Sequence, residues 1–189
     1  MQRISSVLCG LSLVCAMPVL VRAQAPAVPY SDVTKAEIEA VVKAPDGGGD
    51  RQIKVMDIGK LNVGVGVLHR DAIKDAGSGP VRGISHTLVT EVYYIISGSG
   101  TLVTGGTVMS PQPMAADAEV VRVAVGPSIT GAVQQGGVTR VVSAGDVIVI
   151  PAGTFHGWKV VPDHVTYLSV RPDPDRVLPV GYLNPALKK

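Results

Sequence analysis

The chain has 189 residues, of which 46% are hydrophobic, and its 17 lysines and arginines only slightly outnumber its 15 aspartates and glutamates. This length corresponds to one domain with tails and is sufficient to bury a core. A formal net charge of +2, without a basic patch or a basic amphipathic helix, indicates neither a nucleic-acid partner nor a membrane surface.

Residues 1–25 have the three parts of a cleaved signal peptide. A short basic start is followed by an apolar stretch, residues 4–21, which an internal glycine and proline make too short and broken for a membrane span. Small residues then allow cleavage after Ala25, the preferred site, or after Ala23. Because no arginine pair is present, we expect export of the unfolded chain by the general secretory route, to the periplasm or the medium.

Removal of the signal peptide changes the cysteine and charge content. Cys9 and Cys15 are the only cysteines, so the mature chain has none and forms no disulfide. Loss of Arg3 and Arg22 leaves equal numbers of basic and acidic residues, which makes the mature protein close to neutral. An exported protein without disulfides must rely on its core or on a bound metal.

Residues 26–58 are predicted to form an N-terminal extension with one short helix. In TKAEIEAVVK, residues 34–43, Thr34 and Glu37 make a possible capping box, and Ile38 and Val41 fall on one face. The following APDGGGD ends the helix, because it is rich in glycine and contains proline.

From residue 61 the hydrophobic pattern changes to period two. In LNVGVGVLH, a half-buried strand is predicted whose inward side chains are Val63, Val65, Val67 and His69. Further strand-like runs are EVYYIIS, GTLVTG, AEVVRVAVG, TRVVS, DVIVIPAG, TFHGWKVV and VTYLSVR. Many short strands with almost no helix indicate an antiparallel sandwich or barrel, over residues 59–175, followed by a tail at residues 176–189.

One connection, TGGTVMSPQPMAADA at residues 104–118, is long for a hairpin and contains two prolines and two methionines. It is either a solvated loop or a flap over the barrel mouth, since long loops on rigid scaffolds often carry ligand contacts. Both interpretations treat the segment as a connection between strands.

Two separated motifs contain most of the residues capable of chemistry. In the first, four residues separate His86 from Glu91, and six separate Glu91 from Gly98. The second, within GDVIVIPAGTFHGW, comprises Gly145, Pro151, Gly153 and His156. Both spacings resemble those of the cupin superfamily, over about residues 60–171, and the second is the more specific. The resemblance implies an all-β double-stranded β-helix (a jelly-roll barrel) and, since cupins often pair edge to edge, a homodimer.

His86, Glu91 and His156 are the candidate metal ligands. On a straight strand residues 86 and 91 would point to opposite faces, so we expect a turn or bulge within TLVT, residues 87–90. A carboxylate inside an apolar barrel is costly unless it is paired or bound to a cation, and a metal would remove this cost. Two histidines and one carboxylate with open positions suit one divalent ion of iron, manganese, nickel or zinc.

The chain departs from the cupin pattern at three positions. Ile84 stands where cupins commonly have a further histidine, Ser78 where they have a leading glycine, and Val160 where they often have an asparagine. A three-ligand site is therefore implied in place of the commoner four-ligand one, with a free position for water, substrate or dioxygen and a lower metal affinity. Since some cupins bind no metal, a vacant barrel with hydrogen-bonded polar groups is the alternative.

Four further residues have two interpretations each, and a fifth, His164, has one. His69 is either a substitute for the missing ligand or a strand-end residue, and His164 is expected in a solvated turn. Tyr93 and Trp158 are either core residues or candidates near the metal, where Tyr93 would supply a hydroxyl and Trp158 would stack on a ligand. Arg171 could pair with an anionic substrate, although a surface position is favoured.

Two classes of function are compatible with these residues. The first is an exported metal-dependent enzyme whose metal, by resemblance to cupins, activates dioxygen or acts as a Lewis acid in isomerisation, decarboxylation or lyase chemistry. The second is a non-catalytic protein that binds a sugar or an aromatic compound, with a structural metal or none. Because the exported chain would load its metal outside the cytoplasm, the affinity order favours copper and zinc over manganese and iron, and zinc is the expected ion. Serine or cysteine hydrolysis, a P-loop and a dinucleotide fingerprint find no support.

Overall fold

The computed structural model describes residues 30–45, 49–75 and 77–188 of the chain. The predicted signal peptide, with Cys9 and Cys15, lies outside these residues. Within the described ranges, no helix combines the length and the apolar character needed to cross a membrane.

The predicted N-terminal helix is confirmed as α1, Lys35–Lys43. Its capping box is also present, because the Thr34 N–H donates to the Glu37 carboxylate at 2.8 Å and the Glu37 N–H donates to Thr34 Oγ1 at 3.3 Å. The helix ends at Ala44, whose backbone is extended.

The rest of the described chain is dominated by antiparallel strands. They are β1 Asp50–Asp57, β2 Asn62–Ile73, β3 Val81–His86, β4 Glu91–Gly105, β5 Val108–Pro113, β6 Ser128–Val133, β7 Gly137–Ser143, β8 Val147–Ile150 and β9 His156–Asp173. The two longest strands, β4 and β9, pair with each other and pass from one sheet to the other. β4 pairs first with β8 and then with β7, whereas β9 contacts β3 at its start and β2 from Val161 to its end. The predicted double-stranded β-helix is confirmed.

Apolar side chains fill the space between the sheets, and the helix covers the outside. The buried interior cluster consists of Leu68, Tyr93, Ile95, Leu102, Val142, Ile150, Val161, Val165 and Tyr167. On the outer side, Val41 of α1 packs with Ile53 of β1 and Val67 of β2. Burying each of these aliphatic side chains stabilises the fold by about 1.5–3 kcal/mol.

The interior face of β2 is the opposite of the predicted one. Leu68 belongs to the barrel core, whereas Val67 packs under α1 outside it. A Cβ at Gly66 would lie 2.6 Å from Nη1 of the buried Arg171, so the glycine is on the interior face and leaves room for this long side chain. Since alternate residues of a strand share a face, His69 lies on the outer face.

The sheet also includes residues outside the predicted barrel. β1 precedes residue 59, yet it pairs with β2 along its whole length. Burial of the polar Gln52 interrupts the apolar alternation of this strand and hides it in the sequence. The predicted tail folds back on β1, because Asn184 Nδ2 donates to the Gln52 carbonyl at 2.7 Å.

Three predicted segments differ from the structure. Within the predicted connection, β5 forms an edge strand paired with β6, so these residues do not form a flap. AEVVRVAVG is not a strand: it contains a π-helical turn, Val121–Val125, in which Val121, Ala124 and Val125 are buried with helical spacing. TFHGWKVV and VTYLSVR lie largely in one strand, β9, so the predicted turn position of His164 is wrong.

Exposed apolar side chains lie near the free edge of β8. They are Tyr94, Ile96, Val147 and Val149. Among the described strands β8 pairs only with β4, so its other edge has no partner there. The homodimer stays a prediction, and light scattering of the mature protein in solution measures it.

Candidate metal centre

Three strand ends bring the predicted ligands together. β3 ends at His86 and β4 begins at Glu91, so the predicted turn at residues 87–90 is confirmed. β9 begins at His156, which is the register partner of Ile84 in β3. In the turn before β9, the Gly153 N–H donates to the His86 carbonyl at 2.7 Å. The two motifs are therefore connected directly through the backbone.

β3 and β9 approach each other closely at two glycines. A Cβ on Gly83 would lie 2.2 Å from the His156 carbonyl oxygen, and a Cβ on Gly157 would lie 2.3 Å from the Arg82 carbonyl oxygen. No real side chain tolerates such distances to a backbone atom. Glycine at both positions permits the strand crossing that places His156 beside His86.

The side chains of His86, Glu91 and His156 converge inside the barrel. Nε2 of each histidine lies 3.1 Å from Oε2 of Glu91, and the two imidazole centroids are 5.0 Å apart. All three side chains are at most 5% exposed. Their ligand atoms lie within 4.8 Å of one another, and together they could hold a metal ion.

Hydrogen bonds on the far side of each imidazole decide which nitrogen carries a proton. His156 Nδ1 lies 3.1 Å from the Thr154 carbonyl, an acceptor, so this nitrogen donates. His86 Nδ1 lies 2.9 Å from Ser128 Oγ, whose own proton goes to the Gly126 carbonyl at 2.9 Å. In a neutral histidine a protonated Nδ1 leaves a lone pair on Nε2.

These lone pairs point at a carboxylate oxygen, which is unfavourable unless a positive charge lies between them. The buried Nε2 of His156 has no hydrogen-bond partner among the described residues, although it is 3.1 Å from Glu91 Oε2. Such an orphaned buried atom requires a physical explanation. A divalent cation shared by the two Nε2 atoms and the carboxylate removes the conflict, so the residues fit a metal.

Glu91 is held by donors on both of its oxygens. Ser169 Oγ and Arg171 Nε donate to Oε1 at 2.7 and 3.1 Å, and the Tyr93 hydroxyl donates to Oε2 at 2.9 Å. Burial opposes ionisation of the carboxyl group, whereas the positive charge directed at it, which includes the Arg171 guanidinium, favours the carboxylate. The pKa of Glu91 therefore lies well below its usual range.

Arg171 connects the site to β1 and is not at the surface, so its favoured surface position is wrong. Its side chain is 0% exposed and donates to Glu91, to Gln52 Oε1 and to both carboxylate oxygens of Asp50, the last at 2.7 and 2.6 Å. Burial lowers the pKa of Arg171, but the carboxylates of Asp50 and Glu91 have a larger effect in the opposite direction. The pKa of Arg171 is therefore raised above its usual value. The guanidinium therefore stays charged and fixes Glu91.

The two residues predicted near the metal have different positions. Tyr93 contacts the ligand Glu91 directly, as described above, whereas Trp158 Nε1 donates to the Tyr167 hydroxyl at 3.3 Å. Burial, followed by the Glu91 charge, raises the pKa of Tyr93 well above its usual range, so its hydroxyl keeps its proton. Trp158 is partly buried against the barrel core.

The remaining histidines do not belong to the centre. His69 is exposed on the outer face of β2, where its Nδ1 lies 2.8 Å from Thr166 Oγ1. His164 stacks on His69 with ring centroids 5.8 Å apart and lies 3.2 Å from Ser97 Oγ. The interpretation of His69 as a substitute ligand is therefore wrong, because it rested on the wrong face of β2.

Sequence reasoning missed several residues that support the ligands. A usable signal existed in β9, where Val165, Tyr167, Ser169, Arg171 and Asp173 alternate with partly buried neighbours and are all buried. Extending the inward face from the apolar members to the polar ones would have placed Ser169 and Arg171 in the interior. No comparable pattern marks Ser128.

A cavity of about 530 Å³ adjoins the centre. Its wall includes His86 and His156 together with Tyr93, Trp158 and Tyr167. This volume is in the range of small-molecule sites. Since Glu91 is not part of the wall, a bound molecule would approach from the side of the imidazoles.

The second motif also has the backbone that its residue types require. Gly145 and Gly153 adopt φ values of +94° and +80°, and the turn that contains Gly153 leads into His156. Gly98 of the first motif has φ +74°, at the irregular register where β4 bends. The motif glycines thus allow the backbone turns, one of which leads directly into His156. By its strand pairing, the chain is a double-stranded β-helix.

No protein-family model and no curated protein match the sequence of this chain. Among solved structures, BH2720 from Bacillus halodurans is 15% identical with a TM-score of 0.44, over 82% of this chain and 89% of that chain. An uncharacterized conserved protein with a double-stranded beta-helix domain from Klebsiella pneumoniae is 15% identical (TM-score 0.41, 77% and 93% covered). The cupin domain of Schizosaccharomyces pombe Cnp3 is 8% identical (TM-score 0.40, 70% and 66% covered). These similarities are remote, and neither substrate nor activity follows from them.

Proposed function

We propose that the mature protein is an exported cupin enzyme that holds one divalent metal ion through His86, Glu91 and His156 and acts on a small organic molecule in the adjoining cavity. The observation that carries this proposal is the convergence of two Nε2 lone pairs on one buried carboxylate oxygen, with no proton between them in the neutral tautomers. Two histidines and one carboxylate leave coordination positions for a substrate.

The proposed metal is zinc, because outside the cytoplasm the affinity order places zinc, together with copper, above manganese and iron; iron, manganese and nickel suit the same ligands. Such an ion, when bound, supplies Lewis acidity toward a substrate oxygen or, in the case of iron, reactivity toward dioxygen. Isomerase or lyase chemistry is therefore the preferred class, and oxygenase chemistry is the second.

The protein side chains have separate tasks in this proposal. Ser169 and Arg171 hold Oε1 of Glu91, so that Oε2 remains directed at the imidazoles. Tyr93 donates its proton to the same Oε2 and, because its pKa is raised, acts as a donor and not as a base. Aromatic residues of the cavity wall lie on the side of the site that a substrate would occupy.

Elemental analysis of the mature protein, isolated from the compartment to which it is exported, tests the proposal. We expect about one divalent ion per chain in the wild type, and loss of this ion in His86→Ala and in His156→Ala. His69→Ala is the matched control, because His69 lies on the outer face, and it should retain the full metal content.

A metal-free wild type, together with unchanged stability of both ligand variants, would contradict metal binding. The identity of the ion separates the reaction classes. Zinc without redox activity supports the Lewis-acid chemistry, whereas iron with oxygen consumption supports the oxygenase.

One observation favours a second function, ligand binding without turnover. Asp50 is the single carboxylate among the described residues of the cavity wall, and Arg171 already binds both of its oxygens. Outside the metal ligands, the described wall therefore has no free carboxylate base for proton transfer. Recovery of an unaltered co-purified molecule after prolonged incubation would support this function over catalysis.

A further inference from the structure

Arg70 is a partly buried arginine that forms no ion pair with the described residues. It lies on β2 and lines the cavity beside the metal centre. Its Nε donates to the Tyr167 hydroxyl at 3.2 Å, but no carboxylate of the described residues lies within 4.0 Å of its guanidinium, and its two Nη atoms have no hydrogen-bond acceptor there. A partly buried guanidinium has a large desolvation cost, which an anionic partner offsets.

Tyr167 supplies a second donor at the same place. Its hydroxyl oxygen accepts hydrogen bonds from Arg70 Nε and from Trp158 Nε1, at 3.2 and 3.3 Å. No described residue accepts the proton of this hydroxyl, and burial raises the pKa of Tyr167, so the proton is retained. The hydroxyl can therefore donate to a molecule in the cavity.

Aromatic rings connect these donors with the metal ligands. The Tyr167 ring lies 5.6 Å from that of Trp158 and 4.5 Å from that of Tyr93, and the Tyr93 ring lies 6.0 Å from the His156 imidazole, all as centroid distances. A planar apolar group between the two ends of the cavity would contact these rings. The wall thus fits a flat molecule with polar groups at its ends.

The charges of the cavity wall have one predominant sign. Lys74, Arg82 and Lys159 line it in addition to Arg70. Lys159 has only a 4.0 Å contact with Asp75, and the one carboxylate of the described wall, Asp50, is bound by Arg171. A bound divalent ion would add further positive charge, so an anionic ligand is favoured.

We propose that Arg70 and Tyr167 bind the carboxylate of an aromatic or otherwise planar carboxylic acid, whose opposite end faces the two imidazoles. The geometry of Arg70 suits this group, because a guanidinium whose Nε is occupied still offers its two Nη donors to the two oxygens of a carboxylate. The inference deepens the proposed function and rests on it for the role of the metal, although the carboxylate site itself can be measured without one.

Benzoate is the probe, with uncharged benzamide and inorganic phosphate as comparisons. Trp158 is the only tryptophan of the chain and lines the cavity, so its fluorescence reports binding there. Arg70 also borders a second cavity, of about 770 Å³, which Trp158 does not line. Calorimetry run in parallel detects binding on either side.

We expect benzoate to change the Trp158 fluorescence of the wild type and to bind Arg70→Gln about tenfold more weakly or worse. Tyr167→Phe should weaken benzoate to a smaller extent, and benzamide should bind wild type and Arg70→Gln alike. Arg140→Gln is the control: Arg140 is exposed, pairs with Asp146 and lies outside the cavity wall, so benzoate binding should be unchanged.

Equal benzoate affinity in wild type and Arg70→Gln would overturn the proposal, as would an equal loss in Arg140→Gln. Calorimetric binding without a fluorescence change would also overturn it, because the ligand would then lie in the second cavity. Tighter binding of phosphate than of benzoate would exclude the carboxylate class. Metal content measured on the same samples separates the two proposals: Arg70-dependent benzoate binding by a metal-free protein would support the carboxylate site and contradict the metal centre.

Discussion

Replacing Arg171 by alanine is expected to lower the free energy of unfolding by about 3–5 kcal/mol, since removal of one partner leaves the other charges buried and unpaired. The guanidinium contacts the carboxylates of Glu91 and Asp50 and the amide of Gln52, and it is completely buried. Without it, two carboxylates remain close together in the barrel, and Glu91 loses the donor that orients it.

Denaturation by urea, followed by the fluorescence of the single tryptophan, measures the effect. Arg140→Ala is the control for loss of an arginine, because its side chain is 53% exposed and its ion pair with Asp146 is expected to contribute less than about 1 kcal/mol. Arg171→Lys keeps the charge but not the set of donors and should fall between wild type and Arg171→Ala. Equal stability of Arg171→Ala and Arg140→Ala would show that the buried network does not support the fold.

Gly83→Ala is expected to damage stability and metal binding together. The new Cβ would lie 2.2 Å from the His156 carbonyl oxygen and 2.6 Å from the Phe155 ring, so β3 and β9 must separate. Overpacking of this kind costs about 1–3 kcal/mol. Because the displaced carbonyl belongs to His156, a proposed metal ligand, metal affinity should also fall, by about tenfold or more.

Urea denaturation and metal titration of the same variant test both parts of this expectation. Gly49→Ala is a suitable control, because its Cβ would come no closer than 3.4 Å to another atom, and that atom belongs to the flexible Arg70 side chain. Wild-type stability and metal affinity in Gly83→Ala would mean that the close strand crossing does not position His156.

The parts of the site that were predictable are those with a fixed local spacing. His86 and Glu91 can lie on one side of a barrel only if the chain turns between them. In the structure β3 ends at His86 and β4 begins at Glu91, so such a turn is present. Strand alternation after Glu91 predicts that Tyr93 shares its face, and in the structure Tyr93 contacts the carboxylate. Such inferences need only backbone periodicity, which the sequence contains.

The support of the site was harder to predict because its polar residues look like surface residues. Arg171 and Ser169 have the interior parity of Tyr167, but charge alone suggested exposure for Arg171. In β2 the difference has the opposite origin: the valines predict one inward face, whereas the interior face contains Gly66, which leaves room for the arginine. The choice of face depends on a partner from a distant strand, which local periodicity does not contain.

Local periodicity was also insufficient for the segment AEVVRVAVG. Its valines satisfy a strand pattern, but burial of Val121, Ala124 and Val125 follows helical spacing. Tertiary packing decided between two periods that the residues allowed equally.

The pairing of β1 with β2 has a consequence for natural variation in this protein. Asp50 and Gln52 lie well before the first motif, yet both are bonded to the arginine that holds Glu91. Substitutions at these two positions should therefore alter the metal centre as changes in its immediate surroundings do. A comparison of variants that weighs the two motifs alone would count them as neutral.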